Sequence, residues 1–403
     1  MASFHDLDVS GKTALVRVDF NVPLDDAGNV TDDTRVRGAL PTIESLLGRG
    51  AAVVLMSHLG RPQKKKLADG SVDRATFSVK PAAARLGELL GVAVATADDV
   101  GGPDSVAKAE ALRPGEVLLI ENTRFEPGEE KGDRDLAERL AALGDVYVND
   151  AFGAAHRAHA STTTVAEFFA PESKAAGLLM AKELEAGQRL LDEPGRPFVA
   201  ITGGAKVSDK VLLLEKLVDK ADVVIVGGGM AYTFLKAQGG EIGTSLLEPD
   251  LLDKAREILA KAAAKGVTIY LPTDNVCTQE FSPDAAAATY PSDAIPAGWG
   301  GLDIGVASRE RFRDAVRGAK TILWNGPMGV FEFEKFAAGT YAVAEAVAGA
   351  TDNGAYSLIG GGDSASAINQ GGYGDRVSFV STGGGAMLEL LEGKTLPGVA
   401  ALE

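Results

Sequence analysis

The sequence predicts an α/β protein built on doubly wound parallel sheets. Three observations carry this: aliphatic runs four to six residues long recur along the chain, amphipathic helical stretches separate them, and glycine-rich turns follow the runs. The runs lie at 13–18, 51–56, 117–120 and 145–148, then at 198–201, 222–226, 267–271, 321–324, 356–359 and 377–380. Continuous apolarity, without alternation, marks strands buried on both faces. The stretch 251–265 shows the intervening pattern. Leu252, Ala255, Ile258, Leu259 and Ala262 share one face, and Gly266 follows as a left-handed stop.

Ten strands exceed one comfortable sheet, and the chain offers a seam. A helix is predicted at 180–191, with Glu183, Glu185 and Arg189 on its exposed face, followed by the stiff turn Asp192-Glu193-Pro194-Gly195-Arg196-Pro197. The expected division is a first domain over 1–178, a linking helix and hinge over 179–195, a second domain over 196–390 and a tail over 391–403. Residues 63–73, with Lys64, Lys65 and Lys66 in a row, read as a solvated loop.

Composition narrows the function. The chain has 403 residues, 40 Lys and Arg against 56 Asp and Glu, and a net charge of −16. Residues 1–180 hold 20 cations against 27 acids, so neither half is basic. Nucleic-acid and anionic-membrane binding are disfavoured, and any anionic ligand must be held locally. The single cysteine, Cys277, cannot close an internal disulfide and reads as a small buried residue. No secretory signal and no run of 18 apolar residues is present, so a cytoplasmic protein is expected.

In open parallel sheets ligands bind beyond the carboxyl ends of the strands. In the first half those positions are cationic: Arg17 to Pro23 after the first run, Ser57-His58-Leu59-Gly60-Arg61-Pro62 after the second, Arg124 after the third, and His156, Arg157 and His159 after the fourth. Arg35 follows the first turn. Converging guanidinium groups suit a small, highly charged acid, with surface salt bridging as the alternative for each arginine. His156 and His159 lack the other ligands of a zinc site.

The second half carries glycines instead. Thr202-Gly203-Gly204-Ala205-Lys206-Val207-Ser208-Asp209-Lys210 leads into a helix, and its lysines four apart are expected on one helical face. Gly227-Gly228-Gly229, Asn325-Gly326-Pro327 with Glu332, Gly360-Gly361-Gly362-Asp363-Ser364 and Gly383-Gly384-Gly385 follow later strands. Glycine amides at helix starts suit phosphate, so a nucleotide crevice is indicated. Gly11-Lys12-Thr13 and Gly393-Lys394-Thr395 lack the upstream glycine of a phosphate-binding loop, and Gly360-Gly361-Gly362 lacks a ribose-binding acid downstream. Asp363 suits Mg²⁺ or, alternatively, a helix cap.

Taken in order, these motifs resemble those of phosphoglycerate kinases over nearly the whole chain. The resemblance implies phosphoryl transfer between ATP and the carboxylate of 3-phospho-D-glycerate, giving ADP and 1,3-bisphosphoglycerate in glycolysis and gluconeogenesis. It also implies two Rossmann-like domains facing a cleft, hinge closure, a monomer, and a tail returning to the first domain. It puts Asp19, Phe20, Asn21, Arg35, His58, Leu59, Gly60, Arg61, Arg124 and Arg157 on the acid substrate. Gly204, Ala205, Lys206, Lys210, Gly228, Gly301, Asn325, Glu332, Gly361, Gly362, Asp363 and Ser364 fall on the nucleotide, with Asp363 on Mg²⁺. Catalytic roles fall to Arg35, Lys206, Lys210 and the amides of Gly361, Gly362, Gly384 and Gly385. The rivals are an NAD-dependent two-domain dehydrogenase and a non-catalytic nucleotide-binding module.

Overall fold

Burial of aliphatic runs on both faces organises two six-stranded parallel sheets. The computed structural model describes residues 3–403. The chain divides into two compact units, one of Met1–Glu185 with Lys394–Glu403, the other of Ala186–Gly393. The first crossing, between Glu185 and Ala186, falls inside a single helix, and the second, between Gly393 and Lys394, falls outside any helix.

The first unit contains strands β1 (Thr13–Arg17), β2 (Ala52–Met56), β3 (Val94–Thr96), β4 (Val117–Leu119), β5 (Val146–Asn149) and β6 (Lys174–Ala176), in the spatial order β3-β4-β2-β1-β5-β6. Every pairing is parallel. Helices α1 (Thr34–Gly48), α2 (Lys80–Leu90), α3 (Pro103–Ala111) and α4 (Arg134–Ala141) connect the strands. Helix α1 turns Val36, Ala39, Ile43 and Leu46 onto the sheet, where they join Val16, Val53 and Leu55 in one core. Central β1 leads to β2 on one side and pairs with β5 on the other, so its carboxyl end lies between two strand-end loops.

Helix α5 (Leu178–Leu191) carries the chain into the second unit. Glu183, expected on the exposed face, is instead fully buried. Its spacing from Met180, Ala186 and Leu190 places it on the buried stripe of the same helix.

The second unit contains β7 (Phe198–Thr202), β8 (Val223–Val226), β9 (Glu241–Ile242), β10 (Thr268–Tyr270), β11 (Asp274–Thr278), β12 (Ala287–Pro291), β13 (Ala294–Ile295), β14 (Gly300–Ile304), β15 (Thr321–Asn325), β16 (Tyr356–Gly360) and β17 (Phe379–Val380). Its main sheet runs β10-β8-β7-β15-β16-β17. Numbered within that sheet, this is the 3-2-1-4-5-6 order of doubly wound dinucleotide folds, with the switch point between β7 and β15. Helices α6 (Val211–Lys220), α7 (Met230–Ala237), α8 (Leu252–Lys265), α9 (Val306–Arg317), α10 (Ala338–Asp352), α11 (Gly362–Gln370) and α12 (Gly385–Leu391) accompany it. Helix α8 stops at Gly266, which has φ +73°.

An antiparallel sheet, β12-β11-β14, and the pair β13-β9 are additions that apolar runs could not reveal. Strand β12 alternates exposed and half-buried residues, and β14 opens on two glycines. The last residues form α13 (Pro397–Ala400) and belong to the first unit. Gly398 N donates to Ala155 O at 2.8 Å, Asn149 Nδ2 to Gly398 O at 3.2 Å and Lys174 Nζ to Ala401 O at 2.8 Å, while Leu396 and Leu402 are buried.

Candidate functional site

In the first unit the strand ends converge on a buried cation. Arg17, the last residue of β1, is fully buried, because each nitrogen of its fork finds an acceptor. Its Nε donates to Ser161 Oγ at 2.8 Å, Nη1 to Val18 O, and Nη2 to His58 Nδ1 at 3.1 Å. Ser161 passes the interaction on, donating from Oγ to Glu129 Oε1 at 2.5 Å and from N to Oε2 at 3.0 Å. The buried guanidinium is therefore linked to a carboxylate through one hydroxyl.

This arrangement fixes the state of His58. A guanidinium has no acceptor, so Nδ1 accepts and the neutral ring carries its proton on Nε2. Burial, then Arg17, Arg124 and Arg35, hold His58 well below the usual imidazole range. Burial and the same cationic surroundings push His159 down to about 3, and its Nδ1 has no hydrogen-bond partner.

Around this centre, Arg35 Nη1 donates to Asp19 Oδ1 at 3.2 Å and to Asn21 O at 3.1 Å, and Gly60 N donates to Asn21 Oδ1 at 2.8 Å. Arg124 is buried, donates from Nη1 to Gly60 O at 2.6 Å, and has Nε 3.3 Å from Glu130 Oε1. Burial lowers it to about 10, which leaves it protonated at neutral pH. Arg157 is half-buried and Arg61 exposed. Phe20 and Leu59 bury their side chains in the core and leave only main chain for a ligand.

In the second unit the loops after β7, β8 and β15 interlock. Gly203 N donates to Asn325 O at 2.9 Å, Gly204 N to Pro327 O at 3.1 Å and Gly228 N to Met328 O at 3.1 Å. A Cβ on Gly203 would lie 2.1 Å from Pro327 O, and Gly228 has φ +65°, so glycine is required at both. Beside these loops opens a cavity of about 460 Å³, within the usual range for small-molecule sites. Gly204, Ala205, Gly228, Gly301, Glu332 and Asp363 line it together with Tyr232, Leu246, Phe281 and Leu302. Phe281 is 70% exposed, with its ring 5.2 Å from that of Phe333. It offers a flat apolar face suited to a heteroaromatic base.

The spacing of Lys206 and Lys210 predicts one helical face, but they do not share one, because α6 begins only at Val211. The preceding turn is shaped instead by Glu248, whose Oε2 accepts from Val207 N at 2.6 Å and whose Oε1 accepts from Ser208 Oγ at 2.6 Å. Lys206 is left exposed, while Lys210 Nζ reaches inward to Asn325, donating to its main-chain O at 3.2 Å and to its side-chain Oδ1. Burial lowers Lys210 to about 8, against the opposing pull of Asp363 and Asp209.

Asn325 Nδ2 is buried without a partner beside Gly361, which has φ +88°. Ser364 Oγ accepts from Gly326 N at 2.5 Å, tying the first turn of α11 to the loop after β15. Asp363 and Gly362 are exposed, and Gly384 precedes α12. Cys277 is buried, and burial pushes its thiol up to about 12, as suits a packed residue.

Sequence reasoning passed over Arg17, Ser161 and Glu129, and on the nucleotide side Tyr232, Leu246, Phe281 and Glu248. Arg17 stood among the cationic strand ends but was given no place in the site. Leu246 and Phe281 had no local signal, being isolated apolar residues in polar loops.

The switch-point cavity and the lysine reaching into its neighbouring loop define a doubly wound α/β enzyme that binds a phosphorylated nucleotide. The family model for phosphoglycerate kinase matches residues 4–394. Among curated relatives, the phosphoglycerate kinase of Parasynechococcus marenigrum (strain WH8102) is 55% identical over 402 residues, covering 100% of this chain and 98% of the relative. Phosphoglycerate kinase 3, cytosolic, of Arabidopsis thaliana is 52% identical over 403 residues, with the same two coverages. The solved phosphoglycerate kinase of Coxiella burnetii aligns with a TM-score of 0.85 at 43% identity, and that of Pyrococcus horikoshii OT3 with 0.84 at 32%, each covering 100% of this chain and 98% of its own. The chain belongs to the phosphoglycerate kinase family. These relatives support neither the dehydrogenase nor the silent binding module.

Proposed function

We propose that this phosphotransferase divides its substrates between the two units, 3-phosphoglycerate on the first and ATP or ADP on the second. Arg35, His58, Arg61, Arg124 and Arg157 bind the acid, with Asp19 and Asn21 ordering Arg35 and the main chain of Phe20, Leu59 and Gly60 completing the surface. Gly204, Ala205, Gly228, Gly301, Asn325 and Glu332 seat the nucleotide. Gly361, Gly362 and Ser364 lie at its phosphates.

The attacking atom is a carboxylate oxygen, already ionised at neutral pH with a pKa of about 3.5, so the reaction needs no general base. The chain's task is in-line positioning and neutralisation of the phosphoryl oxygens. Lys206, Lys210, Arg35 and the amides of Gly361, Gly362, Gly384 and Gly385 carry that task. Neutral His58 contributes an Nε2–H donor and no proton-accepting base.

Asp363 is an exposed carboxylate at the first turn of α11, beside the cavity, and fits a hard cation shared with phosphates. It would hold Mg²⁺, which supplies neutralisation of the nucleotide phosphates when bound. Among the described residues no helix is long and apolar enough to cross a membrane. The same proposal takes the chain as a cytoplasmic monomer acting on small molecules, without nucleic-acid or membrane partners.

The observation that carries the proposal is the inward reach of Lys210 to Asn325 next to the glycine turns. A coupled assay of ADP formation, dependent on 3-phosphoglycerate and Mg²⁺, tests it. Lys210→Ala should lower kcat far more than it weakens 3-phosphoglycerate binding, and an unchanged kcat would overturn the assignment.

A further inference from the structure

The segment after β2 does not run directly into α2. Pro62–Lys64 makes one turn, and a short hairpin follows, closed by a bridge between Lys66 and Val72 and by a bond from Leu67 N to Ser71 O at 2.9 Å. Its base is fastened to the turn that presents Arg124. Gln63 Nε2 donates to Arg124 O at 3.3 Å and to Phe125 O at 3.2 Å, and the Arg74 guanidinium lies 4.7 Å from the centroid of the Phe125 ring.

Residues 61–74 hold Arg61, Lys64, Lys65, Lys66 and Arg74 against Asp69 and Asp73, a net charge of +3 in a chain of −16. Lys64, Lys65 and Lys66 are exposed, and among the described residues none of them has an ion pair. Lys80, by contrast, is paired, 2.6 Å from Asp98, and the other exposed lysines without an ion pair, such as Lys131 and Lys320, do not stand three in a row. Both acids of the hairpin are taken up in its own turns, Asp69 by Ser71 and Asp73 by Thr76.

We propose that this cationic hairpin is a capture arm for the anionic acid substrate of the first unit, concentrating a small phosphorylated carboxylate beside Arg61 and Arg124. The proposal rests on the reading of that unit as the acid-binding one. At neutral pH the substrate carries about three negative charges, one on its carboxylate and nearly two on its phosphate. The net charge of the whole chain repels such an ion at long range. Unneutralised lysines reverse the local sign of the field, and their effect extends over a screening length of about 30 Å at 0.01 M salt and about 10 Å at 0.1 M.

The test is steady-state kinetics of the full chain bearing K64Q, K65Q and K66Q together, with K64R, K65R and K66R as the charge-retaining control. At 10 mM ionic strength kcat/KM for 3-phosphoglycerate should fall on the order of tenfold in the glutamine variant, and above 0.3 M by less than about twofold. The arginine variant should match the unaltered protein, and kcat and KM for ATP should not move. Parallel salt profiles would overturn the arm. So would an equal loss in KM for ATP, which would reveal a general field. Arg157→Met separates the two levels: if it leaves 3-phosphoglycerate kinetics intact, the acid-binding reading itself fails, whereas a crippled Arg157→Met beside an unaffected glutamine variant overturns only the arm.

Discussion

Lys210 links burial to ligand binding through a proton. Its side chain is taken out of water, which lowers it from the ordinary 10.5 to about 8. That shift corresponds to about 3 kcal/mol of lost preference for the ammonium form. A polyphosphate arriving beside it restores the preference, so nucleotide binding should draw a proton from solution. With the bound ammonium above pH 10, uptake is about 0.1 proton at pH 7, about half at pH 8 and about 0.9 at pH 9. The phosphate's last ionisation, near pH 6, is complete by then and contributes little. Calorimetric titration of ADP with Mg²⁺ in buffers of different ionisation enthalpy measures the uptake directly. Affinity should weaken by up to about tenfold per unit above pH 8 in the unaltered protein and stay flat in Lys210→Met. Equal uptake in both proteins would refute the placement of Lys210 on the phosphates.

Three further outcomes follow from packing and charge. Burial pushes Asp150, whose Oδ1 accepts from Leu179 N at 2.9 Å and Met180 N at 3.1 Å, up to about 6. A raised carboxyl contributes stability that is complete below its ordinary value and lost as pH rises through the folded one, here about 3 kcal/mol between pH 4 and 6. Asp150→Asn keeps the helix cap without the charge and should gain on the parent across that window. Trp299 and Trp324 both lie in the second unit, so hydrogen exchange on β1 and β5 is the measurement, and parallel pH curves would count against it. Gly203→Ala should cost about 1–3 kcal/mol and raise KM for ATP alone, since its Cβ meets Pro327 O. Gly349→Ala, in the last turn of α10, whose Cβ meets nothing within 4 Å, is the control and should stabilise slightly in a thermal melt. Arg17→Met removes the donor and the charge facing His58, so the imidazole should titrate at higher pH by NMR; an unmoved resonance would show that Arg17 does not set its state.

The legible parts of the molecule were those determined by local pattern. Six apolar residues at 51–56 announced β2, Gly266 announced the end of α8, and glycines after successive strands pointed to phosphate. What was hidden depends on contacts distant in sequence. Arg17 is polar by type yet buried, because Ser161 and Glu129 arrive more than a hundred residues later to satisfy it. Strand β14 lacks an apolar run because it lines a cavity rather than a core, and β12 because its residues alternate between exposed and half-buried. The helical reading of Lys206 and Lys210 failed for a similar reason: Glu248, some forty residues on, holds the intervening turn out of the helix.

The placement of Lys394–Glu403 bears on how the chain is made. These ten residues belong to the first unit but follow the whole of the second in sequence. On a ribosome, β1 to β6 emerge early, yet Asn149 and Ala155 wait for Gly398 until some two hundred and forty residues have passed. The second unit, continuous in sequence, can be complete while the first still lacks its last strip. Maturation of the His156 to His159 loop, which Gly398 abuts through Ala155, thereby has to follow synthesis of the second unit.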